Sequence, residues 1–383
     1  MIGFFVISTH LGGAEKSLYE LLLEITDSKD QWMLFVPKED GPLIKKLKQN
    51  KFKFKSIEIP KWYLKVSRNK KLYTFFTLPI LLIYGTILHF KILKLIKKYK
   101  LKTVHSTGLK FHLHLGLISF FNSNTKFILH VRDIIHSSLL KNLFFSFSKR
   151  KNVSLIANSQ MTQNSLGSAK SDLIYNGFNH PPKLQSGLKQ KLKISEDAFL
   201  IGIVGVIARW KGQREFIKMA ENVLQSHSNC HFVIVGSEIY DTNAEVGELS
   251  FLKSLVQKSK YSQQFHFLEF QENIHAVYQG LDILVHSSIE PEPFGRVIVE
   301  AMLNAVPVTA SNEGGPTEII VDGESGLLHI QSDPESMAQN VKKLIDDKDL
   351  RTNLSHQAQE RANAFSMSKH KQLMASHLGL KLQ

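Results

Sequence analysis

Short apolar runs alternating with helical segments constrain this chain most, because a buried parallel sheet with crossover helices is the architecture that uses that pattern. In the first half, Phe4 to Ser8, Gln31 to Val36, Phe54 to Ile59, Thr103 to Ser106, Lys126 to Val131 and Ser154 to Ala157 read as strands. Leu18 to Ile25, Leu43 to Lys48 and Thr162 to Leu166 read as helices between them. The runs are short and mostly apolar throughout, as strands covered on both faces must be. The Asn-Gly and Pro-Pro pairs in Asn176-Gly177-Phe178-Asn179-His180-Pro181-Pro182 are turn and linker signals. The alternation then starts again with Phe199 to Val204, Phe232 to Val235, Phe265 to Phe270, Ile283 to His286 and Val306 to Ala310. A chain of 383 residues is too long for one typical core. The pattern therefore predicts two Rossmann-like doubly wound α/β domains, 1–180 and 181–364, facing a central cleft.

One segment carries the densest chemistry. Glu292-Pro293-Phe294-Gly295-Arg296-Val297-Ile298-Val299-Glu300-Ala301-Met302 follows the apolar run Leu281 to His286, and Pro293 with Gly295 break the strand before a helix starting at Arg296. The first N–H groups of a helix and the positive end of its dipole make an anion site, suited to a diphosphate. Glu292 in the turn and Glu300 about one helical turn in could face one crevice. Carboxylates only accept hydrogen bonds, which suits paired sugar hydroxyls. A blander reading makes Glu300 a solvated helix residue and Glu292 a loop acid beside Glu290. Against it, Ala305 to Ser311 reads as another strand, and Glu313-Gly314-Gly315-Pro316-Thr317-Glu318-Ile319-Ile320 repeats the glycine turn feeding a helix.

Three further groups sit at strand ends. Gly12-Gly13-Ala14-Glu15 follows the first strand, where glycines let backbone approach a ligand. In Gly205-Val206-Ile207-Ala208-Arg209-Trp210-Lys211-Gly212-Gln213, Arg209 and Lys211 could neutralise a leaving diphosphate. His130 ends the strand Lys126 to Val131 and so points at the expected cleft, although a structural histidine is an equal reading; Arg132 and Asp133 could form a local ion pair.

These residues resemble the family-4 glycosyltransferases, retaining enzymes of the GT-B fold. The likeness rests on Glu292 and Glu300 with seven residues between them, the Ala305-Val306-Pro307-Val308 strand, the Gly314-Gly315 turn, the hairpin-like Asp322-Gly323-Glu324-Ser325-Gly326-Leu327-Leu328, and Gly12-Gly13-Ala14-Glu15. It implies transfer of a sugar from a UDP- or GDP-sugar to an acceptor hydroxyl. Glu292 would bind hydroxyls of the transferred sugar and Glu300 the ribose. Phe294 and Gly295 would lie against the sugar and the adjoining phosphate, with Arg296 and Val297 at the helix start beside them. Gly12, Gly13, Arg209 and Lys211 complete the implied donor site, and His130 would orient a hydroxyl near the transferred sugar or take up charge rather than act as nucleophile. The resemblance also implies that the segment from Phe365 onward, 365–383, crosses back to the first domain.

Two positions depart from the family. Its phosphate-binding Arg falls on Val206, so either Arg209 fills that role or one contact is missing, and Glu269 stands where a Gly is common. A GT-B sugar-nucleotide epimerase and a non-catalytic binding module are the rival readings. No Asp-x-Asp element ends a strand and Asp346-Asp347 falls in a late helical run, so neither metal nor other cofactor is expected. The single cysteine, Cys230, excludes an internal disulfide and lies in a strand-like run.

Charge is the compositional outlier, with 48 Lys+Arg against 34 Asp+Glu. The excess lies in the first half, in the clusters Lys45 to Lys55, Lys61 to Lys71 and Lys91 to Lys102, and would attract nucleic acid or an anionic bilayer. Leu72 to Phe90 lies between two of these clusters, nearly uncharged, with Phe75, Phe76, Leu78, Ile80, Leu81, Leu82, Ile83, Tyr84, Ile87 and Leu88. Pro79, Gly85 and the threonines argue against a spanning helix and for one that is partly buried or lies in the interface. This favours an anionic membrane surface over nucleic acid, for which no reading motif is present. The start, Met1 to Ser8, lacks a basic leader and reads as a strand, so the expectation is a cytoplasmic protein peripheral on the membrane's inner face, with a lipid-linked or other saccharide acceptor.

Overall fold

The computed structural model describes residues 1–65, 71–184, 186–238 and 247–381, and of 27–29, 64–65 and 71–79 it describes the backbone. The chain divides into two units, Met1–Gly177 with Met367–Gln383, and Phe178–Ser366. The division falls after Gly177 rather than after His180.

Among its described residues unit 1 holds seven strands: β1 (Ile2–Phe5), β2 (Trp32–Pro37), β3 (Phe54–Ile57), β4 (Thr103–Ser106), β5 (Lys126–Val131), β6 (Val153–Ala157) and β7 (Asp172–Leu173). They pair in parallel in the order β3-β2-β1-β4-β5-β6-β7. Phe4, Phe5, Leu34, Phe35, Phe127 and Leu129 are fully buried, as a sheet covered on both faces requires. One face packs against the helices Lys71–Lys98 and Leu109–Ile118 through Leu88, Ile92, Ile96, Phe111 and Leu115. The other packs against Gly13–Glu24 and the last helix, Met367–Leu378, through Leu18, Leu21, Leu22, Met374 and Leu378. The segment after unit 2 thus returns to complete this core.

Among its described residues unit 2 holds six strands: β8 (Phe199–Val204), β9 (Cys230–Val235), β10 (Phe265–Leu268), β11 (Ile283–His286), β12 (Val308–Ser311) and β13 (Leu327–His329). All pair in parallel, in the order β10-β9-β8-β11-β12-β13. The sequence reading missed β13. Its three residues follow the Asp322 to Gly326 turn and pair with Thr309 to Ser311, a stretch too short to show a period.

In each sheet the strand order reverses once, between β1 and β4 and between β8 and β11. Ligands of doubly wound sheets bind beyond the carboxyl ends of the strands at such points. In unit 2 that places the loops after Val204 and His286 side by side.

Candidate functional site

The loop after β8 is shaped by two glycines. Gly205 (φ +158°) leaves the strand and Gly212 (φ +74°) ends the 3-10 turn Arg209–Lys211 and starts the helix Gln213–Leu224. A Cβ on Gly212 would lie 1.8 Å from the carbonyl oxygen of Ser287, so the loop is pressed against the end of β11. Ser287 Oγ donates to the Gly212 carbonyl at 2.9 Å, and the Lys211 carbonyl lies at 3.1 Å from the same hydroxyl. This close approach aims Lys211 across the strand ends.

Lys211 reaches Glu292, which is buried, and its Nζ pairs with Glu292 Oε1. The same ammonium stands 4.3 Å from the Trp210 ring centroid. Ser288 Oγ donates to that carboxylate oxygen at 2.6 Å, and His286 Nε2 lies 3.1 Å from it. Burial alone pushes the Glu292 carboxyl up, but Lys211 and His286 outweigh it and hold it well below the usual carboxylate range. Glu292 is therefore a charged acceptor whose cationic partner sits on a flexible stem.

The backbone of Glu292 is fixed by the second glycine turn. Gly315 N–H donates to the Glu292 carbonyl at 2.8 Å. A Cβ on Gly314 (φ +76°) would meet that carbonyl oxygen at 2.7 Å, and one on Gly315 would meet Phe294 backbone at 2.2 Å. The paired glycine turns are thus one structure, the second holding the first in place. Phe294, expected against the sugar, has its ring turned into the unit 2 core. Its side chain is buried, stacked on Phe178 (6.2 Å, 17°) and edge-on to Phe365 (5.6 Å), because an aromatic in so tight a turn gains more from core packing than from exposure.

Gly295 (φ +105°) caps the helix Arg296–Leu303, and no side-chain hydrogen bond from the cap occupies that dipole end among the described residues. Glu300 is buried one turn in: Tyr278 donates its hydroxyl to Oε2 at 3.0 Å and Arg296 Nη2 donates to Oε1 at 3.2 Å. The Arg296 guanidinium also lies 4.5 Å over the Phe178 ring. The bland reading of Glu300 as a solvated helix acid is thereby excluded. Burial, with the charge of Glu300, pushes the Tyr278 hydroxyl well above its ordinary value, so it remains a donor.

Arg209 is placed differently. Both arms of its fork, Nη1 and Nη2, donate to Glu215 at 2.7 Å, on the helix that the loop starts. The phosphate role suggested for it meets a guanidinium already engaged, whereas Val206 gives its carbonyl to Gln213 Nε2. Glu269 is exposed beyond β10, and nothing in the structure explains it.

In unit 1, Gly12 caps the helix Gly13–Glu24 at the end of the loop after β1, again with no side-chain cap. Glu15 in its first turn is buried, and burial pushes its carboxyl to about 7 against the pull of its own backbone N–H and of Arg132. His130 is not at a surface but in a buried group. Its Nδ1 lies 3.3 Å from His105 Nε2 and 3.4 Å from Arg132 Nη2, and Arg132 Nη1 donates to Asn176 Oδ1 at 2.5 Å. Ser17 Oγ donates to the same Asn176 oxygen at 3.1 Å. Burial, then the charge of Arg132, holds His130 and His105 well below the ordinary imidazole value. His130 Nε2 has no hydrogen-bond partner among the described residues.

Sequence reasoning missed His286, Ser288 and Tyr278. The first two were legible as polar residues closing an otherwise apolar run. Tyr278 was not, since it ends a five-residue helix, Ile274–Tyr278, without periodicity. No helix of the described residues is long and apolar enough to cross a membrane.

Comparison with known proteins bears on unit 2 first. The family model of glycosyl transferases group 1 matches residues 185–361. Capsular polysaccharide biosynthesis glycosyltransferase CapM of Staphylococcus aureus is 27% identical over 45% of this chain and 44% of its own length. Lipopolysaccharide 1,2-N-acetylglucosaminetransferase of Salmonella typhimurium is 25% identical over 65% and 64%. The chain spans about half the length of the first curated relatives it matches. Among solved structures, Anabaena HepE in complex with UDP-glucose superposes with a TM-score of 0.80 over 99% of both chains at 23% identity, a likeness of fold. Two parallel sheets of this order make the fold GT-B, and residues 185–361 are similar to the glycosyl transferases group 1 family.

Proposed function

We propose that this chain is a retaining glycosyltransferase that moves a sugar from a nucleoside-diphosphate sugar to an acceptor hydroxyl. One observation carries the reading: at the reversal point of the unit 2 sheet, an uncapped helix start lies between two buried glutamates, each already paired with a cation. A diphosphate offers Lys211 a stronger partner than one carboxylate, and it suits the amides at Arg296 and Val297. Once Lys211 turns to phosphate, the lone pairs of Glu292 are open to sugar hydroxyls. Glu300, held by Tyr278, accepts from the ribose.

The anomeric C–O bond to phosphate breaks and its electron pair passes to the diphosphate. The acceptor oxygen bonds to the same face, and its proton goes to the departing phosphate oxygen. Neither glutamate acts as nucleophile, because each is tied to cations rather than paired with the other across a scissile bond. Positioning and neutralisation of the diphosphate supply the rate, and no metal ion is given a role, so a chelator is expected to leave turnover unchanged.

The UDP-glucose bound by HepE supports a uridine donor over a guanosine one. The capsule and lipopolysaccharide names of the relatives support a lipid-linked saccharide acceptor, met on the cytoplasmic side of a membrane. The test is a transfer assay with UDP- and GDP-sugars and lipid-linked acceptors, with the anomeric configuration of the product read by NMR. Retention with acceptor-dependent diphosphate release is expected. Inversion would contradict the front-face route, and release of diphosphate with epimerised sugar and no acceptor would make the chain an epimerase.

A further inference from the structure

The sequence from Ile59 to Arg132 contains no Asp or Glu, and the helix Lys71–Lys98 runs through it. This helix has two unlike faces. Leu88, Ile92 and Ile96 recur at four-residue spacing and are buried in the unit 1 core. On the opposite side Ile80, Ile83, Ile87 and Phe90 follow the i, i+3, i+7, i+10 spacing of one stripe and are exposed, Ile83 at 62% and Phe90 at 63%. The stripe continues one turn later as Lys94 and Lys97, exposed beside Lys98. Trp62, 45% exposed, stands edge-on to Tyr84 of this helix at 5.5 Å. Of the apolar residues named from sequence in this segment, Phe75, Phe76 and Leu78 lie outside the described side chains.

A row of four large apolar side chains covering about 15 Å of helix is costly in water, and single exposed residues do not form such rows. We propose that this outward stripe is a membrane-docking surface: the helix lies in the plane of an anionic bilayer, with Ile80, Ile83, Ile87, Phe90 and Trp62 in the acyl boundary and Lys94, Lys97 and Lys98 among the headgroups. The geometry is that of an interfacial helix, whose aromatic residues sit at headgroup level and whose lysine stems reach back to phosphate. Charge selects the occupant. With no carboxylate in the whole stretch, the surface is complementary to anionic lipid, while a second copy of this chain would bring cation against cation. The inward row, fixed in the core, keeps the helix from turning its outward row away.

The test uses the full chain without any nucleotide sugar, so its result is independent of the proposed transfer. Flotation with phosphatidylglycerol-containing vesicles at low salt should recover the protein, and pure phosphatidylcholine vesicles should not. Ile83→Ser with Ile87→Ser and Phe90→Ser should weaken binding at least about tenfold, and Lys94→Gln, Lys97→Gln and Lys98→Gln by about fivefold each. All six positions are outside the unit 1 core, so the melting curves should match. If a variant melts early, the unmodified chain still decides: Trp62 emission should shift to the blue on anionic vesicles, and Trp62→Phe should abolish the shift. No flotation with anionic vesicles, equal flotation of the serine variant, or no emission shift overturns the proposal. So does a dimer that the serine substitutions dissociate, since the stripe would then bind a second copy.

Discussion

The strand ends of the two sheets handle charge in opposite ways. In unit 2 the charged groups are opposed one to one: Lys211 with Glu292, Arg296 with Glu300, Arg209 with Glu215. In unit 1, Arg132 donates to the amide oxygen of Asn176 and lies beside the imidazole of His130, and the nearby Glu15 is pushed toward neutrality. Burial followed by Arg132 takes His112 down to about 3, and His105 and His130 also stay uncharged. Opposed pairs on flexible stems can exchange one partner for a ligand of the same charge. The buried imidazoles of unit 1 stay neutral and offer no such exchange. On the proposed reading, the contrast separates strand ends suited to a dianion from a buried group of neutral rings.

The comparison breaks first at the backbone. Gly212→Ala puts a Cβ at 1.8 Å from the Ser287 carbonyl in a left-handed conformation, and should cost unit 2 more than about 4 kcal/mol in denaturant unfolding. A loss below about 1 kcal/mol would mean the two loops are not pressed together. Next is Lys211→Ala. It leaves Glu292 buried beside His286 without its main counter-charge, at about 3 kcal/mol of stability. It should also lower turnover about 100-fold, because the cation facing the leaving diphosphate is gone. Lys211→Arg recovering most of the stability and little of the turnover would sharpen the exchange argument.

In unit 1 the prediction has the opposite sign. The folded pKa of Glu15, about 7, is raised above the model-peptide value of 4.5, so its unfavourable contribution is absent below pH 4.5, grows between 4.5 and 7, and is complete above 7. Glu15→Gln should therefore stabilise the protein by about 3 kcal/mol at pH 8 and by almost nothing at pH 4.5, read as unfolding free energy against pH. Equal effects at both pH values would mean that the carboxyl is charged throughout. The smallest effect is expected of Arg209→Ala, about 1 kcal/mol, since its pair with Glu215 is part-exposed. A turnover loss as large as that of Lys211→Ala would show that Arg209 leaves Glu215 for phosphate.

Much of the fold was legible because parallel strands must be apolar on both faces. Thr103 to Ser106, Lys126 to Val131, Phe199 to Val204 and Ile283 to His286 carry that mark at both ends. The first strand begins at Ile2 rather than Phe4, and the strand expected at Val306 begins at Val308, since propensity marks existence better than edges. At the site, Glu292, Glu300 and Lys211 were readable from spacing to glycine. What they touch was not: Tyr278 reaches Glu300 over 22 residues and Lys211 reaches Glu292 over 81. Phe294 and His130 show the same limit, for their neighbours, Phe178 and Phe365 for one and His105 for the other, lie far away in sequence.

The most direct measurement is a thermal-shift titration of the full chain with UDP, GDP and ADP, alongside Lys211→Ala and Glu300→Gln. The account predicts that one nucleoside diphosphate raises the melting temperature in a saturable way, by mass action on the folded state. Lys211→Ala should lose most of that rise and Glu300→Gln a large part of it, with inorganic diphosphate giving a smaller rise. No rise with any of the three nucleotides, in a protein that melts cooperatively, would contradict the assignment of the unit 2 strand ends as a donor site.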